Sequence, residues 1–234
     1  DFKLLADKAL IALQGPKAAS ALQTLVSDDS LDLATIKFMQ AAHVALNNSQ
    51  CLITRSGYTG EDGFEISVDA DDVDSLARKL LEHADVSAVG LGARDSLRLE
   101  AGLCLYGQDL SPDVSPIEAN IGWAISPVRR AGGAREGGFP GADTILRQQQ
   151  NGCEKKLVAL SPGGRAPMRA GTKLLNQEQK IIGEITSGGF SPSLGKPISM
   201  GYVSNELSEN GTEVTQLPSE SLTLHKASWE KLFL

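Results

Sequence analysis

Thr54-Arg55-Ser56-Gly57-Tyr58-Thr59-Gly60-Glu61-Asp62-Gly63-Phe64-Glu65-Ile66-Ser67-Val68 is the stretch on which the reading of the first half of the chain turns. Its opening part is dense in glycine and charge, a composition that frees the backbone to turn and lets side chains line a pocket. From Phe64 the pattern alternates. Phe64, Ile66 and Val68 fall on one face and Glu65 and Ser67 on the other, the period of a strand with one buried side.

Working outward, Ala41–Leu46 and Cys51–Thr54 read as strands joined by the turn formers Asn47-Asn48-Ser49. Before them, the apolar run Ala9–Leu13 ends at Gln14-Gly15-Pro16, with Pro16 expected just inside a helix start. Lys17–Val26 then carries apolar residues at helical spacing. After Val68, Asp71 or Asp72 is expected to cap a helix over Val73–Glu82. Val86–Val89 reads as a short strand, and Gly90-Leu91-Gly92 leads into a helix over Ala93–Ala101. Strands and helices mixed in this way predict an α+β domain.

The texture then changes. Leu110–Ile117 holds two prolines, and Pro127–Pro140 is rich in arginine and glycine, which predicts a mobile loop or an interdomain connection. Beyond Gly152 the chain is all-β: Lys156–Leu160, Thr172–Leu175, Ile181–Ser187, Ile198–Val203, Glu213–Leu217 and Leu222–His225 are short runs separated by turn residues, as in a small barrel or sandwich. The expected organisation is an α+β domain over 1–108, a linking segment over 109–152 and a C-terminal β-barrel-like domain over 153–234.

Apolar residues make up 41% and charged residues 22%, ordinary for a chain that buries a core, and the net charge of −7 argues against a general nucleic-acid surface. Cys51, Cys104 and Cys153 lack any C-x-x-C spacing, and His43, His83 and His225 are dispersed, so neither a disulfide framework nor a metal site is expected. No apolar stretch reaches membrane-spanning length. The opening Asp1-Phe2-Lys3 is neither a secretory signal nor a transit peptide, and a chain without an initial Met is expected to be processed or truncated.

Glu65 is the first candidate for chemistry. A carboxylate offers two parallel acceptors, the right shape for adjacent N–H groups of an amino-pyrimidine ring. The ordinary alternative is a polar-face strand residue, just as the glycine-rich loop reads equally as a solvated hairpin tip. Arg94 and Arg98, four apart on a helix, could each hold a ligand carboxylate or merely pair with Asp95 and Glu100 on a surface. Arg129, Arg130 and Arg135 among glycines read best as a solvated loop. Gly132-Gly133 and Gly137-Gly138 lack the lysine and hydroxyl of a phosphate-binding loop, and no nucleophile elbow is present.

Ala12-Leu13-Gln14-Gly15-Pro16, Gly57 to Glu65, Ala93 to Asp109, Ala166-Pro167-Met168-Arg169, Thr186 to Leu194 and Met200-Gly201-Tyr202-Val203 together resemble the T-protein aminomethyltransferases of the glycine cleavage system. The resemblance runs from about residue 5 to about residue 215. It implies a three-domain fold around a folate pocket. It also implies transfer of the aminomethyl carbon from the lipoyl arm of an H-protein to tetrahydrofolate, with release of ammonia and without a metal. Residue by residue, Glu65 matches the glutamate that grips the pterin, Tyr58 a pocket tyrosine and Arg94 the arginine that contacts folate. Arg169 matches an arginine facing the pocket from the last domain; Tyr106 is a candidate wall residue only. The family's catalytic aspartate is expected upstream of this chain, so no aspartate here takes its place, and 109–152 would be a remnant of the middle domain. The resemblance implies a mitochondrial matrix protein if eukaryotic and a cytoplasmic one if bacterial. Two rival readings are a non-catalytic folate-binding module and the folate-binding part of a dimethylglycine or sarcosine dehydrogenase. The run Glu100 to Asp109 favours the T-protein form. Leu222–Leu234 does not resemble the family's usual ending.

Overall fold

A computed structural model describes residues 2–28, 31–216 and 220–225. The chain divides into two compact units, 1–94 and 95–234.

The first unit is built on a four-stranded antiparallel sheet in the order β1-β4-β3-β2, with β1 Lys8–Gln14, β2 Ala41–Leu46, β3 Ser49–Thr54 and β4 Gly63–Asp69. Asn47 and Asn48 have φ of 47° and 69°, and Leu46 pairs with Ser49. Two left-handed residues give the tight hairpin turn whose twist matches the strands, and asparagine tolerates that conformation. Alternation sends Val44, Leu46, Ile53, Phe64, Ile66 and Val68 to one face, where they pack with residues of α1 (Ala18–Gln23) and α2 (Val73–Leu81). The other face carries Leu10, Ala12, Leu52, Thr54, Glu65 and Ser67, with Leu10 66% and Leu52 40% exposed. On that face Glu65 stands opposite Ala12 on one side and Thr54 on the other.

In the second unit, β5 Lys155–Pro162, β6 Lys173–Leu175, β7 Ile181–Ser191, β8 Lys196–Ser204, β9 Glu213–Gln216 and β10 Glu220–His225 form a closed barrel in the order β10-β5-β8-β7-β6-β9. Val158, Leu160, Leu174, Ile185, Val203 and Val214 make one core cluster. A second cluster joins Leu157, Ile198, Met200 and Tyr202 to Leu99 of α3 (Leu91–Glu100). Nearly all of β8 is therefore buried, which is why its sequence lacks the polar half of an alternating strand.

Several sequence expectations need correction. Val86–Val89 forms no strand; Val89 is 76% exposed and the segment has no sheet partner to use its β-propensity. Pro16 lies outside α1, whose cap position is Lys17, and Asp72 occupies the cap position of α2 without a side-chain cap bond. The sequence reading passed over α4, Ala142–Asn151, whose end is marked by Gly152 at φ 82°. Leu217 and residues 226–234 lie outside the described residues.

Candidate functional site

The glycine-rich loop between β3 and β4 is tied to the end of β1 by a backbone bond from Gly15 N to the Asp62 carbonyl at 2.7 Å, and side chains hold it at two further places. Arg55 makes a forked ion pair with Asp62, Nε to Oδ1 at 2.9 Å and Nη2 to Oδ2 at 2.7 Å, and its Nη1 donates to the carbonyl of Ile36 at 2.7 Å. The guanidinium holds the Asp62 carboxyl below the usual carboxylate range. Gln14, at the end of β1, donates from Nε2 to the carbonyls of Ser56 (3.1 Å) and Phe64 (3.4 Å), and its Oε1 accepts from Thr59 Oγ1 at 3.1 Å. Its amide occupies the space next to two glycines: a Cβ on Gly57 would lie 1.8 Å from Gln14 Oε1, and one on Gly63 would lie 2.6 Å from the Leu13 carbonyl.

Within this frame sit three of the sequence-predicted residues. Glu65 is half-buried, and its Oε2 accepts from Ser56 Oγ at 2.7 Å. Tyr58 is half-buried, and the Arg94 guanidinium carbon lies 5.0 Å from its ring centroid, a cation–π contact worth about 0.5–1 kcal/mol at an exposed site. The fold thus brings together Tyr58 and Arg94 from two separate motif runs, and places Glu65 beside the same loop. Arg94 is itself exposed, so its guanidinium is open to a ligand.

Tyr106 and Arg169 belong to the second unit, both exposed, Tyr106 at 69%. Tyr106 lies in a turn closed by Asp109, whose carboxylate accepts from Leu105 N at 2.8 Å. That carboxylate also binds Arg98 Nη1 at 2.7 Å and the hydroxyls of Thr186 and Ser187. Arg98 is 1% exposed and Asp109 likewise; Arg98 further donates to Asp95 at 2.8 Å, to Ser187 Oγ at 2.9 Å and to the Leu103 carbonyl at 3.2 Å. A bulge in β7 between Ile185 and Ser187 breaks the alternation, and the successive hydroxyls Thr186 and Ser187 both reach Asp109. The surface pairing weighed for Arg98 is thus corrected: it is a buried, fully bonded charge, unlike Arg94 one turn earlier. Burial, and next Asp109, push the Cys104 thiol up to about 11.

Glu100 is likewise committed, accepting from Ser191 Oγ at 2.5 Å, Ser193 N at 3.1 Å and Ser193 Oγ at 2.8 Å. The arginine-rich segment is better fixed than expected. Arg130 donates to the carbonyls of Trp123 and Ile125, both at 2.8 Å, and Arg129 to that of Gly137 at 3.0 Å. A shallow hollow lined by Gly138 to Thr144 includes none of the candidate side chains. Among the described residues no group of three or more His, Cys, Asp or Glu is placed to hold a metal ion, and no helix is long and apolar enough to cross a membrane. Ser56, Gln14 and the Arg55–Asp62 pair were missed as site-building residues. The signal for Gln14 and Ser56 was their place within or beside the motif runs.

Two family models match: the GCVT N-terminal domain over residues 3–129 and the glycine cleavage T-protein C-terminal barrel domain over 155–221. The mitochondrial aminomethyltransferase of Flaveria anomala is 48% identical over 210 residues, 89% of this chain and 50% of the relative. That of Canis lupus familiaris is 47% identical over 207 residues, 88% of this chain and 49% of the relative. The crystal structure of glycine cleavage system aminomethyltransferase T from Bartonella henselae matches with a TM-score of 0.84 at 43% identity, covering 96% of this chain and 60% of that one. The chain spans about half the length of the curated relatives it matches.

Proposed function

The chain belongs to the glycine cleavage T-protein family, and we propose that its function is tetrahydrofolate-dependent aminomethyl transfer. In this reaction the one-carbon unit passes from the aminomethyl-lipoyl arm of an H-protein to tetrahydrofolate, and ammonia is released. The observation that carries the reading is the Arg94–Tyr58 contact, which sets an arginine of α3 against the loop that leads into Glu65 and so joins motif residues 36 positions apart.

In this reading Glu65 accepts the paired N–H groups of the pterin's amino-pyrimidine edge, and Tyr58 gives an apolar wall. Arg94 meets the anionic part of folate. Tyr106 and Arg169 are carried over as further folate contacts on the strength of the family motifs alone. The task of these residues is positional: to hold the folate N5 nucleophile against the aminomethyl carbon, where orientation supplies much of the rate. We assign the proton-handling step to no aspartate of this chain. Asp109, the most buried aspartate among the described residues, already spends its acceptors on Arg98, Leu105, Thr186 and Ser187. By family organisation, residues 1–108 would form part of the folate-binding domain, 109–152 a remnant of the middle domain and 153–234 the barrel domain. The compartment would be the mitochondrial matrix in a eukaryote and the cytoplasm in a bacterium.

Calorimetric titration with tetrahydrofolate tests the assignment. Saturable binding is expected, weakened on the order of a hundredfold by Glu65→Gln, which removes charge-assisted hydrogen bonds. Equal affinity in parent and variant would remove Glu65 from the site.

A further inference from the structure

Ser56 lies just after β3, two residues beyond its last residue Thr54. Its Oγ lies 2.7 Å from Glu65 Oε2 and 2.8 Å from Thr54 Oγ1. A carboxylate only accepts, so the single Ser56 hydroxyl proton is committed to Glu65, and the Thr54 hydroxyl must supply the proton of the other bond. The relay therefore runs in one direction, Thr54 to Ser56 to Glu65. Its backbone is fixed too. Gln14 holds the Ser56 carbonyl at 3.1 Å and the Phe64 carbonyl at 3.4 Å, pinning Ser56 itself and the residue before Glu65. The Gln14 amide fits there because residue 57 has no Cβ.

We propose that Ser56 is a positioning residue, whose hydroxyl, backed by Thr54, fixes which edge of the Glu65 carboxylate meets the amino-pyrimidine ring of tetrahydrofolate. The terminal torsion of a glutamate is broad and roughly two-fold. A carboxylate left free to turn must be ordered on binding, whereas one already held gives up less freedom. The carboxylate has about four lone-pair positions, so one bond from Ser56 leaves acceptor capacity for two parallel N–H groups. The proposal rests on the reading of Glu65 as the pterin contact. It adds that the specificity of that contact is set by a neutral neighbour that does not touch the ligand.

The test is calorimetry on the whole 234-residue chain with tetrahydrofolate and with its 2-desamino analogue, which lacks one of the two N–H groups the relay serves. Ser56→Ala should weaken tetrahydrofolate about tenfold, the analogue by less than about threefold, and the double variant with Glu65→Gln should bind no worse than Glu65→Gln alone. Thr54→Val, which keeps the strand shape, should weaken tetrahydrofolate by about threefold and serves where Ser56→Ala lowers the melting temperature below the assay. Equal weakening of both ligands, or effects of Ser56→Ala and Glu65→Gln that add in full, would reduce Ser56 to a structural residue while leaving Glu65 in place. A parent chain that binds neither ligand, or a Glu65→Gln variant that binds like the parent, would instead overturn the reading of Glu65, and the role of Ser56 with it.

Discussion

Each unit contains an arginine–aspartate clip that closes a loop around a tyrosine. In the first, Arg55 and Asp62 bracket Tyr58; in the second, Arg98 and Asp109 bracket Tyr106. The chemistry is the same and the surroundings are not. Side-chain exposure is 20% and 36% for the first pair, 1% and 0% for the second. Water screens the Arg55–Asp62 pair, so it fixes geometry at little net energy. The Arg98–Asp109 pair exchanges hydration for a complete set of partners, in which Asp109 also accepts from a backbone N–H and two hydroxyls. Burial therefore separates a clip that shapes a loop from one on which the stability of its unit depends.

Breaking the buried clip is the most damaging change. Asp109→Ala leaves Arg98 with the partly solvated Asp95 but without its buried counter-charge, and should cost about 3–5 kcal/mol in urea unfolding. A loss under about 1 kcal/mol would make the two clips equivalent and end the contrast. Next in size is Gly63→Ala. Its Cβ would stand 2.6 Å from the Leu13 carbonyl, a backbone atom with little room to yield, while also striking the Gln14 amide. A cost of about 1–3 kcal/mol is expected in the same assay, with weaker tetrahydrofolate binding as Gln14 releases Ser56.

How far the sequence carried this picture depends on the range of the interactions involved. Strict alternation placed Phe64, Ile66 and Val68 inside and Glu65 on the opposite face, and Asn47-Asn48 marked the β2–β3 hairpin, because both are local properties of the backbone. The barrel strands were legible from short apolar runs between turn residues. Val86–Val89 was misread because β-propensity has no effect without a pairing strand. α4 was overlooked although Ala142 and Ile145, its buried residues, and the glycine that follows it, Gly152, gave a usable pattern. The fate of Arg98 was not legible: its partners Asp109 and Ser187 lie 11 and 89 residues away, and nothing local distinguishes it from the exposed Arg94. Glu65 was singled out from its shape, but Ser56 and Gln14 gained meaning only when the fold set them around it.

The smallest effect expected is also the one that depends on pH. Asp62 is held below its ordinary pKa chiefly by its hydrogen bond to Arg55. A carboxyl with a lowered folded-state pKa contributes stability that is present above its unfolded value, about 3.9, and is lost as pH falls through the folded value. With one partner more than a third exposed, the contribution at pH 7 is discounted to about 0–1 kcal/mol. Its signature is therefore local. Proteolysis within 57–61 should stay slow from pH 7 down to about pH 4 and accelerate below it. Asp62→Asn should show the fast, pH-independent rate throughout, and raised salt should move the parent toward the variant. A parent loop equally protected at pH 3 and pH 7 would mean that the Gln14 contacts and the Gly15 N–Asp62 carbonyl bond hold it without the ion pair. The exposed clip would then be dispensable, where the buried one is not.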